Sequence, residues 1–139
     1  MIPMVQAFQR AIGKERANEV ARQVIIELAR RDGKRWAQQF GEDLAAMEQV
    51  SDVWADGGSL EIQQLGKSTE KLEFNVTRCQ YAEFYKELGL PELGKLFHCN
   101  RDFAMVEGFS PGLTLNRTQT IMEGAAHCDF RFVHKGQER

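Results

Sequence analysis

The stretch SLEIQQLGKSTEKLEFNVT, Ser59 to Thr77, decides the fold, because here the spacing of apolar residues changes to a period of two. The apolar residues of its two halves occupy alternate positions. They are Leu60, Ile62 and, after a slip, Leu65 in the first half, and Leu72, Phe74 and Val76 in the second. The segment Gly66 to Glu70 separates the two runs, so the sequence predicts a β-hairpin with its loop there.

The segment before this hairpin has the apolar spacing of helices. PMVQAFQRAIG, Pro3 to Gly13, carries one apolar stripe and ends at a glycine. A second helix starts at Lys14 and runs toward Phe40, with a weak point predicted at Asp32-Gly33. A third helix, GEDLAAMEQVSDVW, is stopped by the Asp56-Gly57-Gly58 turn.

The segment after the hairpin predicts more helices and then two more strands. The expected helices follow Cys79, begin at Pro91, and span Asn100 to Glu107 with a stop at Gly108; the expected strands are LTLNRTQTIM, Leu113 to Met122, and CDFRFV, Cys128 to Val133. This order predicts an α+β fold, with N-terminal helices packed on one antiparallel sheet of about four strands. We expect residues 1–139 to form a single domain.

Composition excludes several classes of partner. The net charge of −2 gives no attraction to nucleic acid or to anionic lipid, and no apolar run is long enough to span a membrane. No basic segment followed by an apolar stretch indicates a signal peptide, so we expect a cytoplasmic protein without nucleic-acid or membrane partners. The apolar N-terminal helices, with Trp36, Phe40 and Trp54, suggest a homodimer.

Two short runs concentrate the residues that carry chemistry. LFHCNRDF, Leu96 to Phe103, and AHCDFRF, Ala126 to Phe132, each hold a His, a Cys, an Asp and an Arg. With Cys79 the chain has three cysteines, an odd number that argues against a disulfide framework. Buried thiols, metal ligands and reactive groups are the alternatives. No C-x₂-C pair is present, so we expect no cofactor, with zinc on Cys79, Cys99 and Cys128 as the alternative.

We expect the three cysteines to lie near one another around one pocket, whereas the histidines need separate arguments. Cys79 follows a strand and opens a helix, where backbone N–H groups stabilise a thiolate, although a buried structural cysteine fits equally. Cys128 alternates with Phe130 and should face the helices. Neighbouring residues on a strand point to opposite faces, so His127 and Cys128 should not serve one site.

Arg117 is expected within a strand, on the same face as Leu115. A buried arginine needs a carboxylate, which is either a protein group, Asp102 or Glu107, or a carboxylate of the substrate. Thr118 lies on the other face of this expected strand, where β-branched residues are common.

Several motifs resemble the L-2-amino-thiazoline-4-carboxylic acid hydrolase family. They are Cys79-x-Tyr81, YKELGLPELGKLFHCNRDFAMVEGFSP from Tyr85, LNRTQTIMEGAAHCDFRF from Leu115, and IGKERA from Ile12. The match is dense from Phe74 to Phe132 and covers most of the chain. The resemblance implies hydrolytic opening of a cyclic amidine ring, that of a 2-aminothiazoline carboxylate, to a carbamoyl amino acid.

The resemblance also implies where the site lies, and chemistry suggests the roles. The candidate catalytic residues are Cys79, Cys99 and Cys128 as thiols, Asp102 as a base or ligand, and His127 as an acid or base. The candidate substrate-binding residues are Arg117, which would bind the substrate carboxylate, Tyr81 and Thr118.

A more distant likeness supports an alternative from another class. Gly124, Cys128 and Phe130 fit the pattern G-x-x-x-C-x-F that ends small-molecule-binding domains of the 4-vinyl-reductase type. That likeness implies a binding or sensor domain without turnover, with zinc held by cysteines in some members. A family member that has lost its activity is a third alternative.

Overall fold

The computed structural model describes residues 1–136 and shows helices both before and after the hairpin. The helices are α1 (Ile2–Ile12), α2 (Lys14–Phe40), α3 (Leu44–Ala55), α4 (Gln80–Glu87), α5 (Pro91–Gly94) and α6 (Arg101–Phe109). A π-helical turn, Lys95–Cys99, joins α5 to α6. None of the helices in this range combines the length and the apolar character needed to span a bilayer.

The strands form one antiparallel four-stranded sheet in the order β1-β2-β4-β3. They are β1 (Leu60–Lys67), β2 (Lys71–Cys79), β3 (Leu113–Asn116) and β4 (Cys128–His134). The slip expected near Leu65 is real, because the pairing of β1 with β2 shifts between Gln64 and Gly66. The predicted α+β fold is confirmed.

One face of the sheet carries the core. Leu72, Phe74 and Val76 of β2 are buried beside Phe130 and Phe132 of β4, as their alternation predicts. The rings of Phe74 and Phe130 stack with centroids 5.0 Å apart. Side chains of α2, α3 and α6 pack on this face and complete the core.

The tryptophans and Phe40, which suggested a dimer surface, are instead partly buried against this core. Trp36 stacks on Phe40 with ring centroids 5.8 Å apart, and Trp54 lies against Phe130. Other apolar side chains of α1 and α2 are the exposed ones, including Phe8, Val24 and Leu28.

Two glycines that were expected to interrupt helices instead allow two helices to touch. Gly33 is buried within α2, where a Cβ atom would lie 2.0 Å from the Met105 carbonyl oxygen. Gly108 lies within α6, where a Cβ atom would lie 2.1 Å from the Arg30 carbonyl oxygen. The predicted weak point at Asp32-Gly33 and the predicted stop at Gly108 are therefore wrong, because the missing Cβ atoms serve backbone contact between α2 and α6.

The strand predicted from Leu113 to Met122 ends early, at Asn116. Beyond it the carboxylate of Asp129 accepts hydrogen bonds from the backbone N–H groups of Thr118 and Gln119, at 2.8 and 3.0 Å. A side chain thus satisfies backbone groups that a strand would pair with its neighbour. Arg117 therefore lies just after β3 rather than within it, and residues 117–127 are free to turn toward α6.

Candidate functional site

A cavity of about 480 Å³ lies between the core face of the sheet and helices α2 and α6. This volume suits a small organic molecule. Most of the predicted site residues line it: Cys79, Tyr81, Cys99, Asp102, Arg117 and Cys128. Trp36, Trp54, Met105 and Phe130 provide much of its apolar wall.

An ion pair between Asp102 and Arg117 is the polar centre of the cavity. Arg117 Nη1 donates to Asp102 Oδ2 at 2.6 Å, and Nη2 donates to the Cys99 carbonyl oxygen at 3.1 Å. The side chains are only 6% and 21% exposed for Arg117 and Asp102. The buried Arg117 therefore pairs with Asp102, one of the two protein carboxylates suggested by the sequence.

Aromatic rings hold the Arg117 guanidinium in place. Its central carbon lies 4.8 Å from the centroid of the Phe103 ring and 5.5 Å from that of Phe130. Such cation–π contacts are favourable and restrict the side chain. Asp102, in the first turn of α6, therefore has a fixed cationic partner.

Burial controls the protonation of Asp102. Desolvation raises the pKa of this carboxyl group from 3.8 to about 6, although Arg117 and then Arg101 oppose the rise. The group therefore changes charge close to neutral pH, as a general acid or base requires.

The three cysteines are free thiols from different elements, and they line the same cavity as this ion pair. Cys79 ends β2 and caps α4, where its sulfur accepts a hydrogen bond from Ala82 N at 3.4 Å. Burial nevertheless raises the pKa of Cys79, because desolvation outweighs the backbone hydrogen bonds. The thiolate suggested for this helix start is therefore not favoured.

Burial disfavours the thiolate form of the other two cysteines as well. Burial, followed by the charge of Asp102, raises the pKa of Cys99 to about 12. Burial also raises the pKa of Cys128, although Ile121 N donates to its sulfur at 3.2 Å. Within residues 1–136 no group of at least three His, Cys, Asp or Glu side chains is placed to hold a metal ion, so zinc on the cysteines gains no support.

His98 also lines the cavity, although the sequence pointed to His127. Its Nε2 atom lies 3.2 Å from Tyr85 Oη, and Tyr81 stacks on its ring with centroids 4.5 Å apart. Burial, together with the charge of Arg101, lowers the pKa of His98 and keeps the imidazole neutral. Its place in the Leu96–Phe103 run next to Cys99 was the signal that could have identified it.

A cluster of charges from α2 and α6 forms the more exposed rim of the cavity. Asp32 of α2 pairs with Arg101 of α6 and, at 3.1 Å, with Arg35. Asp32 and Arg35 precede the hairpin by a long segment. No local motif marks them, and only the crossing of α2 over α6 brings them to the site.

Two predicted site residues lie away from the cavity lining. Thr118 bonds to Asp129 through its backbone N–H and its hydroxyl group. His127 precedes β4, and its carbonyl oxygen accepts a hydrogen bond from Gln119 Nε2 at 2.9 Å. Cys128, the next residue, does face the cavity. The sequence predicted that His127 and Cys128 would not belong to one site, and only Cys128 lines the cavity.

Comparison with solved structures shows that the fold occurs in a ligand-sensing protein. The chain resembles the crystal structure of the phenol-responsive sensory domain of the transcription activator PoxR with phenol, with a TM-score of 0.60 and 10% sequence identity. The alignment covers 99% of this chain and 74% of that chain. At this identity the likeness concerns the fold.

Comparison with sequences identifies the family. No curated protein matches the chain. The family model described as L-2-amino-thiazoline-4-carboxylic acid hydrolase matches residues 1–132, which include every residue that lines the cavity. The chain therefore belongs to the L-2-amino-thiazoline-4-carboxylic acid hydrolase family.

Proposed function

We propose that the protein hydrolyses the ring of a cyclic amidine, a 2-aminothiazoline carboxylate, to a carbamoyl amino acid. Family membership supports this type of reaction. The observation that carries the proposal is Asp102, a carboxylate at the apolar cavity whose pKa is raised by burial to about 6. Such a group is ionised at neutral pH and still basic enough to accept a proton.

Asp102 acts as the general base toward water in this proposal. The ring carbon between nitrogen and sulfur carries the positive charge of the amidinium group, and water attacks it while Asp102 accepts a water proton. The resulting intermediate bears a hydroxyl group on that carbon. The ring carbon–sulfur bond then breaks with its electron pair going to sulfur, and Asp102 returns its proton to the sulfur.

Water is a better nucleophile here than a cavity thiol. A cysteine must lose its proton to attack, and the pKa of Cys99 of about 12 leaves almost no thiolate at neutral pH. The cysteines then serve as apolar lining. A cytoplasmic location, which would keep them reduced, is part of the proposal, and cell fractionation tests it.

The substrate carboxylate is proposed to bind a cavity arginine. Arg117 is rigid and buried, and a bound carboxylate would share it with Asp102. Replacing Arg117 by lysine should raise KM more than it lowers kcat, because an ammonium group cannot form a two-pronged contact with a carboxylate. An unchanged KM would move this role to the arginines of the rim.

The decisive experiment follows conversion of 2-aminothiazoline-4-carboxylate by mass and by release of a free thiol. Asp102→Asn should lower kcat about 100-fold or more, as loss of a general base does. Glu107→Gln is the matched control, since Glu107 lies on the same helix, pairs with Arg30 and lies outside the cavity lining. A folded Asp102→Asn variant with the turnover of the wild type would contradict the proposal.

Ligand binding without turnover is the second candidate function. The shared fold with a phenol-responsive sensory domain and the aromatic cavity wall favour it. Calorimetry that finds tight binding of the thiazoline, while mass spectrometry finds no product, would support this candidate over the hydrolase. Metal analysis of the same sample would test the zinc version.

The exposed apolar face of α2 supports a proposed homodimer. Val20, Val24 and Leu28 recur at helical spacing and are about half exposed. A second copy of the same helix would cover them. Light scattering should find a dimer that Val24→Glu converts to a monomer, and a wild-type monomer at all concentrations would refute this.

A further inference from the structure

His98 is a titratable group at the cavity that the reaction proposed above leaves without a role. It lies on the π-helical turn that also carries Cys99, three residues before the start of α6. Such turns often occur at functional sites, because they displace side chains from the regular helical positions. The His98 ring lines the same cavity as Asp102.

Contacts on two sides fix the imidazole. Tyr81 stacks on the imidazole at an interplanar angle of 29°. The hydroxyl oxygen of Tyr85 lies 3.2 Å from His98 Nε2, within hydrogen-bond distance. Tyr85 is itself 6% exposed and belongs to a buried apolar cluster with Leu93 and Phe97 rather than to the cavity lining. One ring nitrogen is therefore engaged by the protein interior, and Nδ1 is the nitrogen left for another partner.

The proposed reaction needs a second proton acceptor. While Asp102 returns its proton to sulfur and the carbon–sulfur bond breaks, the hydroxyl group of the intermediate must lose its own proton so that the carbamoyl C=O bond can form. Asp102 does not accept this proton while it acts as the acid toward sulfur. A neutral base at the same cavity removes the difficulty.

We propose that His98 accepts this hydroxyl proton through Nδ1 while Tyr85 holds the ring in the required tautomer. This proposal rests on the proposed hydrolase function and adds a catalytic residue to it. The Nε2–H group donates to Tyr85 Oη, which leaves the Nδ1 lone pair free to accept. As C=O forms and the carbon–sulfur bond breaks, His98 becomes an imidazolium and then releases its proton to water. Starting from the amidinium and water, the products are the carbamoyl thiol and one proton, so the step balances.

Tyr85 acts as a positioning residue in this scheme. Tyr85→Phe keeps the ring and its packing against Phe97 and removes only the hydroxyl group. The variant should lose about 10-fold in kcat with little change in KM, since misorientation of a proton acceptor affects the rate selectively. A purely structural Tyr85 would instead lower the melting temperature with no change in kcat.

The test is thiol release from 2-aminothiazoline-4-carboxylate by the full chain and its His98 variants. His98→Ala and His98→Gln should each lower kcat about 100-fold or more. Added imidazole should restore a substantial part of the activity of His98→Ala but not that of Asp102→Asn, because only the former leaves a space of the right shape. His134→Gln is the control, since His134 bonds to the Thr69 carbonyl oxygen away from the cavity.

The outcomes separate the two proposals. Thiol release by the wild type together with full activity of folded His98→Ala overturns the role of His98 and leaves the hydrolase function standing. A His98→Ala variant that is inactive yet unaffected by imidazole, with a lowered melting temperature, also overturns it in favour of a structural role. A wild type that releases no thiol and makes no carbamoyl product overturns the hydrolase function and this proposal together.

Discussion

Replacing Asp102 by asparagine should change the stability of the protein in a way that depends on pH. Burial raises the pKa of this carboxyl group from 3.8 to about 6. At about 1.36 kcal/mol per pKa unit, that shift corresponds to about 3 kcal/mol. The ionised carboxylate of Asp102 is thus less stable in the folded protein than in the unfolded chain, even with Arg117 in contact.

Proton linkage determines whether the free energy of unfolding rises or falls with pH. Between pH 3.8 and about 6 the folded state keeps a proton that the unfolded state has lost, so ionisation of Asp102 lowers the free energy of unfolding as the pH rises. Asparagine resembles the neutral acid and does not titrate. Relative to Asp102→Asn, the wild type should therefore lose about 2 kcal/mol between about pH 4.5 and about pH 8. The cost of leaving Arg117 without a carboxylate adds an offset that does not depend on pH.

Urea unfolding of both proteins across this pH range measures the effect. Asp129→Asn is the control with the opposite sign, because hydrogen bonds from Thr118 and Gln119 outweigh desolvation and lower the pKa of Asp129. The wild type should gain stability over that variant as the pH rises. A difference between wild type and Asp102→Asn that stays flat, or that moves in favour of the wild type at high pH, would refute the account of Asp102. It would mean that Arg117 dominates and that the carboxylate is a stabilising ion pair.

Three further predictions concern turnover and packing. The kcat/KM for thiazoline hydrolysis should fall as the pH drops below about 6, because Asp102 must be ionised to accept a proton, and a pH–rate profile without this limb would contradict that role. Cys99→Ser should keep kcat within about 10-fold of the wild type, since a thiol with a pKa of about 12 is a poor nucleophile, and a steady-state assay in which activity disappears would indicate covalent catalysis. Gly33→Ala should destabilise the fold by more than about 3 kcal/mol in thermal or urea unfolding, because its Cβ atom would lie 2.0 Å from a backbone oxygen. Gly112→Ala is the matched control, with its nearest contact at 3.8 Å, and equal stability of the two variants would count against the close helix contact.

Alternation predicted the core strands well because it reports directly on which face is buried. Leu72, Phe74 and Val76 occupy the core face as expected, and so do Cys128 and Phe130. The early end of β3 could not be predicted, because it depends on a single side chain. The carboxylate of Asp129 accepts hydrogen bonds from the backbone N–H groups of Thr118 and Gln119, which would otherwise pair with a neighbouring strand. Local sequence does not reveal such a competitor.

The helix interruptions predicted at two glycines were wrong for a related reason. At Gly33 and Gly108 the sequence indicates a weak helix, whereas the structure uses the absence of a side chain for contact between α2 and α6. The two cases look alike in the sequence, since only the partner helix distinguishes them.

The lining of the cavity was predicted best where motifs and fold coincide. Cys79, Cys99, Asp102 and Arg117 lie together because the elements after the hairpin return to one end of the sheet. Arg35 and its neighbours on α2 could not be found from the sequence, because their place at the rim depends on how that helix crosses α6.

The raised pKa values of the cavity thiols have a consequence for redox chemistry. Disulfide exchange and alkylation both require a thiolate, and at about pH 8 Cys99 would be ionised in only about one molecule in ten thousand. If the thiol product of the proposed ring opening is oxidised to its own disulfide, the cavity cysteines exchange with that disulfide only slowly. The same property makes these cysteines slow to react with iodoacetamide, so that an increase in their labelling would report opening of the fold around α6.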